Sequence, residues 1–362
     1  MRENPEFLKD QIITYIGNKR ALLEFLDSGF KLAKNLLGKE RVSFCDLFSG
    51  SGVVSRLAKT HSNFIIANDL ELYSKIINEC YLSNDSQKLK DNISKIWTKI
   101  SDTNEPKNGF IRELYAPKDE NNILKSDRVF YTVKNAQTID TIRQNIEIYA
   151  PDELKPYFLA PLLYEASVHA NTSGIFKGFY KNEYGVGEFG GRGKNALSRI
   201  KGEISLKKPI FSRFNSNFEV TQIDANILAK DISTDITYID PPYNQHPYGS
   251  NYFMLNLISS YKQPSEISKI SGIAQGWNRS VFNQKTNALN AMLDIINNLK
   301  SKFILISYNS EGFISKSEFE KELSKFGELK LLEQKYNAFR GSRNLHSRPT
   351  HVKEQLYILR KK

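Results

Sequence analysis

The stretch Val42-Ser43-Phe44-Cys45-Asp46-Leu47-Phe48, followed by Ser49-Gly50-Ser51-Gly52, decides the fold class. Its first part is a short apolar run that predicts a buried strand. The Ser- and Gly-rich part predicts a tight turn, and residues 53–59 have the pattern of a helix that begins there. Residues 64–69 predict the next strand, which ends in an acid. Strand, helix and strand in this order form a βαβ unit, which predicts an α/β protein with a parallel sheet.

The flanking sequence extends this pattern. Upstream, apolar residues recur at helical spacing over residues 19–37, and Gly38 is the expected end of that helix. Downstream, further strands are predicted at residues 218–223, 236–239, 303–307 and 355–359.

Residues 100–215 have a different character. Polar stretches rich in Gly and Asn separate short helical segments such as 138–148 and 153–168. We therefore expect a catalytic domain made of residues 1–99 and 216–362. Residues 100–215 would form an inserted, largely helical domain.

The composition excludes several classes of protein. Of 362 residues, 40% are hydrophobic and 25% are charged, so the chain is neither disordered nor fibrous. It lacks both a run of about eighteen apolar residues and a secretory signal, so no membrane partner is expected. Two cysteines without a CxxC pair, and five histidines without ligand spacing, predict no metal site. Such cysteine usage is typical of the reducing cytoplasm.

Positive charge is concentrated in two stretches. The formal net charge is +11, and residues 185–213 carry +5 while residues 335–362 carry +7. The rest of the chain is therefore almost neutral. This distribution favours a polyanionic partner that contacts two basic surfaces, although a solvated charged face would give the same pattern.

The glycine-rich turn predicts a site for a nucleoside-type cofactor. Glycines let the backbone approach a ligand closely, and Asp69, 19 residues after Gly50, is placed to accept ribose hydroxyls. A dinucleotide fold would need a third glycine where Ser55 stands. The acid Asp46 would repel a pyrophosphate but fits the sulfonium and ammonium cations of S-adenosylmethionine. A tight turn without a ligand remains the alternative.

A second motif, Asp240-Pro241-Pro242-Tyr243, follows the apolar strand predicted at residues 236–239. Proline cannot continue a central strand, so the chain leaves the sheet at its carboxyl end, where parallel sheets bind ligands. The two prolines are stiff, and the loop offers two fixed acceptors, the Asp240 carboxylate and the Pro241 carbonyl. An ordinary strand-terminating turn is the alternative interpretation.

Two acceptors suit a conjugated amine such as adenine N6. Its lone pair is delocalised into the ring, and holding both N–H bonds draws the nitrogen toward tetrahedral geometry. Positioning of this kind contributes roughly 7–11 kcal/mol when the geometry is good. A base in a duplex must first be flipped out, and Tyr243 offers a ring on which it can stack.

The ordered motifs resemble the D12 class of DNA N6-adenine methyltransferases, relatives of the Dam methylase with the α-group motif order. Tyr15-Ile16-Gly17-Asn18-Lys19-Arg20 resembles the opening motif of that class, and Ile306–Gly312 and Phe339–Arg343 resemble its late motifs. The resemblance implies a Rossmann-like methyltransferase sheet that ends in a reversed β-hairpin. It implies that these residues bind S-adenosylmethionine: Tyr15, Lys19, Asp46, Phe48, Gly50, Gly52, Asp69, Asp224 and Asp240. It also implies that Asp240, Pro241, Pro242 and Tyr243 form the catalytic tetrapeptide.

The resemblance further implies double-stranded DNA as the partner and the inserted domain as the target-recognition domain. Candidate DNA contacts are Asn171, Lys177, Arg192, Lys194, Arg340 and Arg343. We expect a monomer that serves a restriction system whose endonuclease acts separately. An N4-cytosine or RNA adenine methyltransferase, and an inactive DNA-binding protein on the same scaffold, are the alternatives.

Overall fold

The computed structural model describes residues 2–337 and 351–362. Within these residues the chain forms a seven-stranded sheet in the order β3-β2-β1-β4-β5-β7-β6. The strands are β1 (Val42–Asp46), β2 (Ser62–Asn68), β3 (Asn217–Thr221), β4 (Ile236–Ile239), β5 (Phe303–Asn309), β6 (Gly327–Asn337) and β7 (His351–Lys361). β1 to β5 are parallel, whereas β7 is antiparallel to both β5 and β6. The predicted α/β fold and its reversed hairpin are confirmed.

Helices cover both faces of the sheet. The α-helices of the described residues are α1 (Pro5–Lys9), α2 (Leu23–Leu37), α3 (Val53–Ala58), α4 (Leu72–Tyr81), α5 (Gln87–Ser101), α6 (Phe110–Tyr115), α7 (Val133–Tyr149), α8 (Pro156–Val168), α9 (Leu197–Lys201), α10 (Ala225–Leu228), α11 (Tyr248–Asn251), α12 (Phe253–Ser260), α13 (Ala288–Asn298) and α14 (Lys316–Leu323). Short 3₁₀ turns lie at Lys19–Leu22, Asp152–Leu154 and Val281–Asn283. Gly38 ends α2 as predicted, because it adopts a φ of +65° that side chains disfavour.

The strand burial explains why the apolar runs were visible in the sequence. Every residue of β4 and β5 is buried, because these central strands have helices on both faces. α2 and α3 pack on one face in a cluster that includes Phe30 and Phe44. α10, α13 and α14 pack on the other face around Ile239 and Met292. β6 lies at the edge and alternates charged with apolar residues, so its sequence lacks a continuous apolar run.

The segment predicted as an insertion contains α6, α7, α8 and α9 joined by long loops. α6, α7 and α8 share one hydrophobic cluster with α4, α5 and α12. The helix α5 crosses the predicted boundary at residue 100. The division into two domains stays a prediction. Among the helices of the described residues, none is both long and apolar enough to cross a membrane.

Candidate active site

The predicted motifs meet at one edge of the sheet. β1, β2 and β4 are parallel, so their carboxyl ends lie together, where open α/β sheets bind ligands. An open pocket lies there, with an empty volume of about 780 Å³ that includes its solvent-filled mouth. The predicted site residues that line it are Tyr15, Lys19, Phe48, Gly50, Asp69, Asp240, Pro241, Pro242 and Tyr243.

Gly50 and Asp69 form one wall of the pocket. The Gly50 amide donates a 2.8 Å hydrogen bond to Oδ2 of Asp69, and the Glu71 amide donates one of 2.9 Å to Oδ1. Gly50 has a φ of +50°, and a Cβ on it would lie 3.0 Å from the Tyr15 ring. Burial raises the pKa of Asp69 to about 6, although these two backbone donors oppose the rise. The wall is a narrow cradle between a glycine backbone, a carboxylate and an aromatic ring.

Aromatic rings extend this wall. Tyr15 stacks on Tyr252 with ring centroids 4.6 Å apart and on Tyr248 at 5.0 Å. The two partner rings are anchored to the backbone of Ile16, because the Ile16 amide donates to the Tyr252 hydroxyl and the Tyr248 hydroxyl donates to the Ile16 carbonyl. The ring of Tyr15 is therefore held in place before any ligand arrives.

The tetrapeptide that begins at Asp240 forms another wall of the pocket. Asp240 directly follows the last residue of β4, and Pro241 is buried. Tyr243 is half-buried, lines the pocket and packs edge-on against Tyr308 with ring centroids 5.8 Å apart. Its ring is thus supported on one side and lies in the same pocket as Gly50.

Lys19 connects this wall to the reversed hairpin. Its Nζ lies 3.1 Å from Oδ1 of Asp240 and 2.7 Å from Oε1 of Glu354 on β7. Ser307 on β5 also donates to Oε1 of Glu354. Burial opposes the charge on Lys19, but Asp240 and Glu354 hold its pKa well above its usual value. The lysine is therefore a buried cation shared by two carboxylates.

Asp240 has an unusual acidity for an aspartate. Burial raises its pKa to about 7, Lys19 lowers it, and the negative charge of Glu354 raises it again. The sequence analysis did not predict a shifted pKa for Asp240, because a carboxylate needs only the right orientation to act as a hydrogen-bond acceptor. In the structure, Asp240 changes its charge close to neutral pH.

Comparison with known proteins agrees with this geometry. Residues 15–321 match the model of the family described as D12 class N6 adenine-specific DNA methyltransferase. The chain belongs to this family. It is 31% identical over 356 residues to the type II methyltransferase M.NlaIII of Neisseria lactamica, covering 96% of this chain and 99% of that one. The predicted activity, adenine-specific methylation of DNA, is confirmed at the level of the family.

Two further relatives of this D12 methyltransferase are similar over most of the chain. M.CviAII of Paramecium bursaria Chlorella virus 1 is 31% identical over 337 residues, which cover 91% of this chain and 93% of the relative. The modification methylase StsI of Streptococcus sanguinis is 29% identical over 364 residues, which cover 96% of this chain and 52% of that protein. This D12 methyltransferase thus matches M.NlaIII and M.CviAII over nearly their whole length. It matches about half the length of StsI.

Three predicted cofactor residues lie outside the pocket lining. Asp46 is fully buried, and its Oδ2 accepts a 2.6 Å hydrogen bond from Ser55. Gly52 caps α3 with a φ of +75°, which makes it a turn residue. Asp224 caps α10 by accepting two backbone hydrogen bonds. Each has a structural task of its own, so we leave all three out of the contacts proposed below.

The structure adds lining residues that the sequence did not indicate. Glu71 lines the pocket, and burial raises its pKa to about 7. The loop before α13 closes another side, because the Asn278 side chain donates to the Leu70 carbonyl and the Asn283 side chain donates to the Asn244 carbonyl, both at 2.8 Å. Glu71 could have been found as a second acid just after Asp69, whereas the two asparagines carry no motif.

The predicted DNA contacts divide into buried and exposed residues. Asn171 is fully buried, and its amide bonds three backbone groups, so it cannot reach DNA. Lys177, Arg192 and Lys194 are exposed, and Lys194 pairs with Glu188 at 2.5 Å. The other two predicted contacts, Arg340 and Arg343, lie outside the described residues.

Proposed function

We propose that this pocket binds S-adenosylmethionine next to an adenine flipped out of double-stranded DNA. One observation carries the proposal: the Gly50 cradle and the tetrapeptide that begins at Asp240 line a single open pocket. The cofactor supplies a methyl group on a sulfonium cation. The cradle fits this cofactor, because the missing side chain of Gly50 leaves open the space in which a Cβ would crowd the Tyr15 ring.

In this proposal the wall of Gly50 and Asp69 holds the nucleoside part of the cofactor. Asp69 accepts the ribose hydroxyls, since its carboxylate lies in the pocket and backbone donors already fix its orientation. Tyr15 and Phe48 both line the pocket and supply apolar contact. Lys19 acts at the other end, where it orients Asp240.

Asp240 and Pro241 hold the adenine amine. Oδ1 of Asp240 is buried beside Lys19, but the side chain keeps some exposed surface and lines the pocket, so its carboxylate can accept an N–H there. Pro241 and Pro242 stiffen the loop, which keeps the Pro241 carbonyl and the Asp240 carboxylate at a constant spacing. Tyr243 supports the flipped base through its ring. These residues act by orientation and by a preorganised negative charge.

We assign the DNA-binding role to the segment predicted as residues 100–215. Lys177 lies near His246, which is in the loop after the tetrapeptide. Burial lowers the pKa of His246, and the positive charge of Lys177 lowers it further. Lys177, Arg192 and Lys194 are exposed, so we propose that these three cations contact the phosphate backbone. Because M.NlaIII and M.CviAII are type II methyltransferases, we propose that the protein acts as a cytoplasmic monomer beside a separate restriction endonuclease.

The central experiment measures transfer of a labelled methyl group from S-adenosylmethionine to double-stranded DNA and, in a parallel reaction, to RNA. The product is then digested to nucleosides and identified by mass spectrometry. We expect N6-methyladenine. N4-methylcytosine, or label only in RNA, would overturn the proposal in favour of the corresponding alternative.

Asp69→Asn should weaken binding of S-adenosylmethionine by about 10- to 100-fold, because hydrogen bonds to a charged group are worth about 1.5–3 kcal/mol. Isothermal titration calorimetry at pH 8, where Asp69 is ionised, measures the dissociation constant. Asp85→Asn is the matched control, since Asp85 is exposed and pairs with Lys90 outside the pocket. Equal affinities of the Asp69 variant and the wild type would remove Asp69 from the binding site.

Tyr243→Ala should lower kcat/KM for DNA by about 5- to 150-fold, because stacking on a base is worth about 1–3 kcal/mol. Tyr243→Phe keeps the ring and should retain most of the activity. Tyr149→Ala removes an exposed tyrosine of α7 and serves as the control. Single-turnover methylation rates provide the measurement, and a wild-type rate for Tyr243→Ala would rule out the stacking role.

A further inference from the structure

Glu354 is a buried carboxylate on the reversed hairpin that faces the catalytic wall. It lies on β7, which pairs with β5 so that Glu354 is opposite Asn309. It has no exposed surface. Lys19 and Ser307 both donate to its Oε1, while its Oε2 has no hydrogen-bond partner among the described residues. Burying such a group is costly, so its presence beside Lys19 calls for a reason.

The cluster of Lys19, Asp240 and Glu354 contains one basic group and two acidic groups, so it is not a simple ion pair. Lys19 is one cation between two carboxylates, at 3.1 Å from Asp240 and 2.7 Å from Glu354. The two carboxylate oxygens that contact Lys19 therefore lie within about 6 Å of each other. At such a separation two negative charges repel each other strongly. If Glu354 were neutral, Lys19 would neutralise Asp240 alone.

Other titratable groups also face Asp240, and none of them supplies a second cation. They come from β4, the tetrapeptide loop, α11, β6 and β1: Tyr238, Tyr243, Tyr248, Tyr336 and Asp46. Burial raises the pKa of each tyrosine, so these four remain neutral. Asp46 is an acid and can only add to the negative charge. Lys19 is thus the cation that these two carboxylates share within the described residues.

We propose that Glu354 is a positioning residue that acts through Lys19: it fixes the ammonium group beside Asp240 and takes up part of its charge, so that Asp240 stays a strong acceptor for the adenine amine. A carboxylate with its own lysine would be a weaker acceptor, because its charge would already be compensated. Glu354 does not line the pocket, so this role requires no contact with substrate. The inference rests on the proposed role of Asp240.

Glu354→Gln tests this role, because it keeps the shape of the side chain and removes its charge. The measurement is the pH profile of kcat/KM for S-adenosylmethionine with DNA in excess. In the wild type we expect activity to rise with pH through about 7, as Asp240 ionises. Loss of the neighbouring negative charge lowers the pKa of Asp240, so the rise should move to lower pH by about one unit. At pH 8, kcat should fall by about tenfold, because Asp240 accepts more weakly.

A merely structural role would give a different result. Glu354→Gln would then lower kcat by the same factor at every pH and leave the position of the rise unchanged, and this outcome would overturn the proposal. Glu333→Gln on β6 is the matched control, because Glu333 is on the same hairpin but outside this cluster. It should leave the profile unchanged.

Two further measurements keep the outcome clear. If the glutamine variant does not fold, Glu354→Met, of similar length and also uncharged, repeats the test with the same expected shift. A ¹³C-carboxyl NMR titration, with Asp240→Asn to assign the signal, follows Asp240 without any turnover. If the wild type itself transfers no methyl group to DNA, the proposed function fails. The NMR titration still decides whether Glu354 raises the pKa of Asp240.

Discussion

Asp240→Ala should lower kcat for DNA methylation by at least about 10³-fold while DNA binding stays within about twofold of the wild type. The carboxylate is one of the two acceptors that we propose for the amine, and removing one well-placed electrostatic group costs about 10²–10³ in kcat. The charge of Asp240 also faces the buried Lys19, so the loss in kcat should lie at or beyond the upper end of this range. Methyl transfer under single-turnover conditions and a DNA-binding titration measure the two quantities.

The effect on stability separates chemistry from folding. Lys19 stays paired with Glu354 at 2.7 Å when Asp240 is removed, so the buried cation keeps a partner. The pKa of Asp240 is raised above its unfolded value, so its ionisation destabilises the fold as pH rises toward and through 7. Asp240→Asn should therefore melt at the same or a higher temperature than the wild type at pH 8. Asp231→Ala, at an exposed position, is the control for activity.

An active Asp240→Ala enzyme would contradict the assignment of this residue. A variant that loses both methylation and its cooperative melting transition would show that Asp240 is needed for folding. In that case the isosteric Asp240→Asn variant decides between the two roles.

Lys19→Met should have the second largest effect, and it should act on stability as well as on turnover. It leaves the carboxylates of Asp240 and Glu354 buried without a counter-charge, and breaking a buried ion pair in this way costs about 3–5 kcal/mol. We expect that decrease in the free energy of unfolding at pH 8, measured by urea denaturation. Turnover at pH 8 should also fall by at least about 10²-fold, because Asp240 then takes up a proton.

The pH dependence of the loss gives the decisive check. At pH 5 Asp240 is protonated and needs no counter-charge, so the Lys19→Met variant should recover part of the lost stability there. Lys31→Met is the control, because Lys31 is exposed and pairs with Asp27 on the surface of α2. Its free energy of unfolding should change by less than about 0.5 kcal/mol. A loss for Lys19→Met that is independent of pH would mean that packing, rather than charge, is responsible.

The local motifs of this protein were visible in its sequence because each one is a continuous stretch at the end of a buried strand. Gly50 follows β1, Asp69 follows β2 and Asp240 follows β4, and apolar runs marked each of these strands. Parallel strands in one sheet must place their carboxyl ends together, so the meeting of the motifs followed from the strand pattern. The edge strand β6 was missed individually, because its charged residues Glu328, Lys330, Glu333 and Lys335 are exposed and interrupt the apolar pattern.

Single residues without a motif were not predictable. Asn171 and Lys177 belong to the same polar loop, yet the first is buried among backbone groups and the second is exposed. Both are polar residues in similar sequence surroundings, and only the packing of the folded chain distinguishes the buried one from the exposed one. Asp46 was expected to contact the cofactor; its Oδ2 accepts from Ser55 and the residue is not in the pocket lining, and its contact with the cofactor stays a prediction.

The amino-acid sequence by itself determined the parallel sheet, the Gly50 cradle, the tetrapeptide at Asp240 and the family to which the chain belongs. These features depend on neighbouring residues and on strand periodicity, which a sequence displays directly. Only the tertiary structure brought Lys19 from the amino-terminal region into contact with both Asp240 and Glu354, so that two carboxylates distant in the chain share one ammonium group. Contacts between residues so far apart in the chain arise from the order of strands in the sheet, and that long-range geometry sets the charge, and so the acidity, of Asp240.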